Sequence, residues 1–204
     1  MDVIPVYAQP AARHAAAAAL KQHGLVVVSA ETAISDAPGT SKHAERQAAR
    51  QTIRQSLAEI LALSCQLDLH QVQFFSSPGQ ALRADIPGYR FGLSLSHEPG
   101  LSLAAICATG AVGVDIMRVD ESLDWEPVAQ LYLGAEAAEN LGRQPASRQA
   151  HAFAQAWTAH EAGLKCLGLA ITEWSADLSR ALAQCQPTSL LLPDGYVGAV
   201  STAI

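Results

Sequence analysis

The sequence predicts an α+β protein made of two similar halves that divide near residue 109. Long stretches of helical periodicity cover residues 41–64 and 148–166, one on each side of that point. Shorter runs alternate apolar and small or polar residues in the manner of strands. Three of these runs, around residues 91–97, 101–106 and 112–117, lie close together with short turns between them, which predicts an antiparallel meander. The halves are taken as residues 1–108, with an arginine-rich helix and a Ser-His strand, and 109–204, with an Asp-bearing strand and a Glu/Lys helix. Half the residues are apolar and 16% are charged, so the chain can bury a core and is not of the disordered class. A net charge of −6 argues against broad nucleic-acid binding.

Residues 3–8 read as a short strand interrupted by Pro5, residues 11–23 as a helix stopped by Gly24, and residues 25–29 as a strand. Residues 30–41 contain Asp36-Ala-Pro-Gly39 and read as a loop. The helix that begins near Ser41 presents Ala49, Ile53, Leu57, Ile60 and Leu61 on one face. Arg46, Arg50 and Arg54 form a row on another face, which is either a solvated stripe paired with Glu45 or Glu59, or an anion site. Residues 72–75 read as a strand and residues 76–79 as a turn. Pro127 suits the first turn of a helix, and a second helix spans residues 135–141. Residues 189–192 and 196–201 form a hairpin through Pro193-Asp-Gly195, while residues 171–174 and 176–182 carry no clear pattern. The four cysteines, at 65, 107, 166 and 185, make no CxxC pair and read as reduced core fillers in a cytoplasmic protein. The N-terminus has no basic region, and the alanine run near residue 15 is too short for a signal peptide or a membrane span.

Three stretches carry chemistry. On the second long helix Glu161 and Lys165 stand four residues apart on one face, as an ordinary ion pair or as functional groups. Asp115 lies in the β-branched strand Val112-Gly-Val-Asp-Ile116, where a buried carboxylate needs a hydrogen-bond partner or a metal. Gly113 beside it leaves room for a close approach. The strand before ends in Ser96-His97 at a Pro-Gly turn, where the histidine either caps the turn or meets a ligand.

Ser96-His97, then Gly113-Val114-Asp115, then Trp157-x-x-x-Glu161-Ala162-x-x-Lys165, in that order and spacing, resemble the 4'-phosphopantetheinyl transferase superfamily in its Sfp-type branch. The resemblance covers roughly residues 45–204. It implies two pseudo-twofold-related subdomains, each a small, largely antiparallel sheet packed with helices, with the site in the cleft between them. It implies Mg2+-dependent transfer of the phosphopantetheine arm of coenzyme A to a serine of an apo carrier protein (acyl, peptidyl or polyketide), releasing 3',5'-ADP. Asp115 and Glu161 would hold the metal. Glu161 and Lys165 would be catalytic, as base and as charge stabiliser. Arg50, Ser96, His97, His160 and Lys165 would contact coenzyme A, with Arg46 and Arg54 one helical turn to either side of Arg50. The carrier would be an acidic helical domain, which Arg118, Arg143 and Arg148 would steer unless they only solubilise the surface. Members of this branch are commonly monomers.

Four departures from the family pattern stand out. Met117 replaces a third metal-binding carboxylate, and thioether is a poor magnesium ligand. His160 replaces a lysine, which predicts activity falling steeply above about pH 7. Gly79-Gln80-Ala81 replaces Gly-Lys-Pro, leaving Arg83 or Arg90 as substitutes, and Glu98 adds negative charge after Ser-His. These departures keep open the alternative of a non-catalytic relative that binds coenzyme A or a carrier protein.

Overall fold

Alternation along the strands decides the layering. The structure, a computed structural model, describes residues 3–32, 42–76 and 82–204, with side chains from residue 45 onward in the middle segment. Ser41, the loop beyond residue 32, the turn beyond Ser76 and Gln80 lie outside the described residues. In chain order the elements are β1 (Val3–Ile4), β2 (Val6–Ala8), α1 (Arg13–His23), β3 (Leu25–Glu31), α2 (Lys42–Cys65), β4 (Gln73–Phe75), β5 (Arg83–Asp85), β6 (Gly92–Glu98), β7 (Leu101–Cys107), β8 (Val112–Arg118), α3 (Trp125–Val128), α4 (Ala135–Gly142), α5 (Ala146–Leu167), α6 (Ala176–Leu182), β9 (Cys185–Leu190) and β10 (Tyr196–Ala203).

The class is α+β, as expected. Two four-stranded mixed sheets, ordered β2-β3-β7-β6 and β1-β9-β10-β8, are accompanied by the β4–β5 hairpin. Val27, Leu103 and Ala105 of the first sheet and Val112, Val114, Ile116 and Val200 of the second share one core between the sheets. The alternate residues Val26, Val28, Leu93, Ala104 and Ile106 face outward onto α1 and α2, through Leu20, Ile53, Leu57 and Leu61. Helix α5 covers the outer face of the second sheet. Both faces of β7 are therefore buried, which is why its run Leu101–Cys107 is apolar apart from Ser102.

Two local expectations change. The segment at residues 3–8 is split by Pro5 between the two sheets, β1 pairing in parallel with β9 and β2 with β3. The expected three-stranded meander stops after β6 and β7. Strand β8 pairs instead with β10, antiparallel from Val112↔Thr202 to Arg118↔Tyr196. Its inward residues Val112, Val114 and Ile116 fill the core between the sheets, and a continuation of the first sheet would expose them. Gly24 ends α1 in the left-handed conformation that glycine tolerates. Among the described residues no helix is long and apolar enough to cross a membrane, and all four cysteines are buried and free.

Candidate functional site

The two sheets meet along a seam between β6 and β8 that is joined by side chains. The Ser94 hydroxyl accepts the Val114 backbone N–H at 3.0 Å, and the Ser96 hydroxyl donates to Asp115 Oδ1 at 2.7 Å. Ser94, Ser96 and Glu98 are two apart on β6 and so point to one side, toward β8. Leu93, Leu95 and His97 point to the other, toward α2. One strand thus serves two neighbourhoods.

Asp115 is 4% exposed, on the face of β8 opposite the core between the sheets. Helix α5 reaches it because Gly113 has no side chain. A Cβ at that position would lie 1.9 Å from the Ala162 carbonyl oxygen and 2.6 Å from the Cys166 nitrogen. This contact sets Glu161 and Lys165 level with Asp115. Lys165 Nζ donates to Asp115 Oδ1 at 2.6 Å, to the Val114 carbonyl at 3.1 Å and to Ser96 Oγ at 3.2 Å. It lies 3.9 Å from Glu161 Oε2. The i,i+4 pair of α5 is therefore a bridge between helix and strand, not a solvated surface pair.

Burial, and then the nearby Asp115 charge, raise the Glu161 carboxyl above its ordinary range, against the pull of Lys165 and a hydrogen bond from Trp157. The Trp157 ring is fixed against Phe153 (centroids 5.9 Å apart) and edge-on to Tyr132 (5.7 Å). Glu98 is also raised, by burial and by Asp115, although it accepts the Arg118 backbone N–H. The oxygens around Lys165 come from carboxylate, carbonyl and hydroxyl groups, the donor set of a hard divalent cation, with the ammonium as the stand-in ion. Among the described residues no three His, Cys, Asp or Glu side chains are grouped closely enough to hold a metal. Such an ion would therefore have two carboxylates and take its other ligands from water or substrate.

His97 Nδ1 lies 2.8 Å from Ser102 Oγ, within one hydrogen bond. Burial, then the charges of Arg50, Lys165 and Arg54, lower its pKa to about 4. Arg50 and Arg54, both on α2, thus reach His97 with their charges. With Arg46 they line a cleft of about 790 Å3 whose other walls include Phe74, Val72 and Ser76. Arg54 donates to Ser76 Oγ at 3.0 Å.

An unfolded histidine takes its proton near pH 6.5, whereas His97 stays neutral down to about pH 4. The unfolded chain therefore binds more protons between these values. The stability this ring contributes is full above about pH 6.5 and is lost as pH falls toward about 4. His160 acts in the same direction, while the raised Glu98 and Glu161 act oppositely. The expected result is that His97→Gln flattens the fall of the thermal midpoint between pH 6.5 and 4. Parallel slopes in the two proteins would count against it.

Of the residues singled out in the sequence, Asp115, Glu161, Lys165 and Ser96 meet at the seam, and Arg50 is near enough to His97 for its charge to help lower the histidine's pKa. Met117 packs in an apolar cluster with Trp125, Leu133 and Trp157, so it offers this site no oxygen. The His160 ring lies against Trp157 with Nε2 buried and unpartnered, and burial lowers its pKa. Burial thus favours the uncharged ring, which runs against the expected loss of activity above pH 7, since that loss needs a charge on His160. Arg143 is exposed and paired with Glu139. Sequence reasoning missed Ser94 and Ser102, and it gave Trp157, though part of the motif, no hydrogen bond to Glu161. The signal for the first was present in the i,i+2,i+4 polar series Ser94, Ser96, Glu98.

Comparison with known proteins bears on the segment that carries this site. Residues 111–191 match the model of the 4'-phosphopantetheinyl transferase superfamily, the family the motifs resemble. The chain is also similar to the 4'-phosphopantetheinyl transferase psf-1 of Bacillus pumilus, at 28% identity over 116 residues. That alignment covers 57% of this chain and 48% of the relative, so the chain spans about half the length of the curated relative it matches.

Proposed function

We propose, from the premise that residues 111–191 carry a 4'-phosphopantetheinyl transferase superfamily domain, that this protein moves the phosphopantetheine arm of coenzyme A to a serine of an apo carrier protein. The observation that supports it is the meeting of Asp115, Glu161, Lys165 and Ser96 at one seam, with His97 and an arginine-lined cleft alongside. Residues 1–108 then serve the nucleotide end of coenzyme A, and residues 109–204 the reacting end. The protein acts as a cytoplasmic monomer.

In this reading Asp115 and Glu161 hold Mg2+, which neutralises pyrophosphate charge when bound. The carrier serine hydroxyl attacks the β-phosphorus, its bond to the bridging oxygen breaks, and 3',5'-ADP leaves with that oxygen. Glu161 takes the serine proton, directly or through water; a carboxylate raised by burial is a stronger base than an exposed one. Lys165 balances charge on the leaving group. With Ser102 donating to Nδ1, His97 keeps its Nε2–H for a phosphate oxygen. Arg50 binds the 3'-phosphate through its planar fork.

Arg50→Ala removes charge-assisted hydrogen bonds worth about 1.5–3 kcal/mol. It is expected to raise KM for coenzyme A about 10- to 100-fold with little change in kcat. Dephospho-coenzyme A, which lacks that phosphate, should be used equally by both proteins. An equal loss with both substrates would remove Arg50 from this role.

The test is transfer from a fluorescent coenzyme A to apo acyl and peptidyl carrier proteins with magnesium, beside Asp115→Ala and Glu161→Ala. Labelling that both substitutions abolish supports the transferase. Labelling that neither affects excludes this site. Coenzyme A binding without labelling of any carrier favours the non-catalytic relative, the reading that Met117, turned into its apolar cluster, speaks for.

A further inference from the structure

The ammonium of Lys165 carries three N–H donors, and three oxygens take them: Asp115 Oδ1 at 2.6 Å, the Val114 carbonyl at 3.1 Å and Ser96 Oγ at 3.2 Å. The Asp115 carboxylate is itself buried, and its nearest positive charge is this one. A divalent cation takes the same kinds of oxygen. Cation and ammonium therefore compete for Asp115. With Glu161 at 3.9 Å, the group has two carboxylates and one ammonium. A divalent ion added beside Lys165 would reverse the sign of the group's charge and crowd two cations against one carboxylate. The competition is relieved only if the ammonium finds another anion. Lys165 stands in the last turn of α5 with its side chain 32% exposed, so its head can leave the seam on its own four-carbon stem.

We propose that Lys165 is a built-in counter-ion of Asp115 that exchanges for a divalent cation when a pyrophosphate arrives, its ammonium passing from Asp115 to the phosphate oxygens. The inference rests on the transfer reading for the identity of the pyrophosphate, coenzyme A. Its consequence is positive coupling. The cation alone binds weakly because it must displace Lys165, and coenzyme A removes that cost, so each raises the affinity of the other.

Mn2+ is the probe, counted as free ion by electron paramagnetic resonance during titration of the full chain. Wild type should bind Mn2+ weakly alone and at least about tenfold more tightly with saturating coenzyme A, within the usual range of coupling between sites. Lys165→Met should bind Mn2+ alone at least about tenfold more tightly than wild type, with coenzyme A then adding little. Lys165→Arg, which keeps the charge, should remain weak. Mn2+ should also raise the thermal midpoint of Lys165→Met more than that of wild type, because it restores a partner to Asp115. If Lys165→Met does not fold, Lys165→Gln carries the same comparison. Unchanged or weaker Mn2+ affinity in the neutral variant would overturn the exchange. Carrier labelling by wild type alongside that outcome would leave the transfer reading standing. Tighter Mn2+ binding without any labelling would support the counter-ion role and count against transfer.

Discussion

Gly113→Ala is expected to abolish carrier labelling and to destabilise the fold by about 3 kcal/mol, the upper end of the usual cost of overpacking. The added methyl would sit 1.9 Å from the Ala162 carbonyl oxygen and 2.6 Å from the Cys166 nitrogen. Both are backbone atoms of α5, so no rotamer change relieves the clash. The helix must move off β8, and it carries Glu161 and Lys165 with it. A shift of about 1 Å is enough to cost two orders of magnitude in rate when it displaces reacting groups. Gly110→Ala is the matched control, because a Cβ there meets nothing within 4 Å. Urea denaturation and labelling of the two variants check the prediction. A Gly113→Ala protein with wild-type stability and rate would mean that the contact between β8 and α5 does not set the site.

What the sequence made legible is what local periodicity encodes. The faces of α2 and α5, the strand at Asp115 and the end of β6 all followed from spacing. Asp115 stood out because a carboxylate in a β-branched run needs a partner, and the structure supplies two, Ser96 and Lys165. The partner of β8 was not legible. Alternation says which residues share a face, not which distant strand lies beside it, and β10 is ninety positions away in the register Val112↔Thr202. The division of β1 and β2 between two sheets was hidden for the same reason. Gly113 was read correctly as a place of close approach, but only the fold shows that α5 makes it. Met117 and His160 were judged by residue type. Their behaviour depends on burial among Trp125, Leu133 and Trp157, which the composition of the motif does not contain.

Asp115→Asn is expected to lower transfer at least about 1000-fold, as loss of a principal electrostatic group in an active site does. It should also lower stability, and the two effects can be separated. The amide keeps the size of the side chain and can still accept from Ser96, but it leaves the Lys165 ammonium with Glu161, at 3.9 Å, as its one remaining carboxylate within ion-pair distance among the described residues. Removing one partner of a buried ion pair costs about 3–5 kcal/mol. Lys165 keeps 32% of its side chain in solvent, so the cost here falls to about 1–2 kcal/mol. Lys165→Met leaves the 6% exposed Asp115 carboxylate without its cation and should cost more. The double variant Asp115→Asn with Lys165→Met has no unpaired charge between the two positions. It should therefore be more stable than Lys165→Met alone, a coupling of about 1–3 kcal/mol in a double-mutant cycle of urea denaturation. Its transfer activity should stay at the level of Asp115→Asn, because restoring charge balance does not restore the carboxylate that the reaction needs. Additive stabilities would show that the two groups do not interact across the seam. Recovery of labelling in the double variant would show that Asp115 acts only by restraining Lys165.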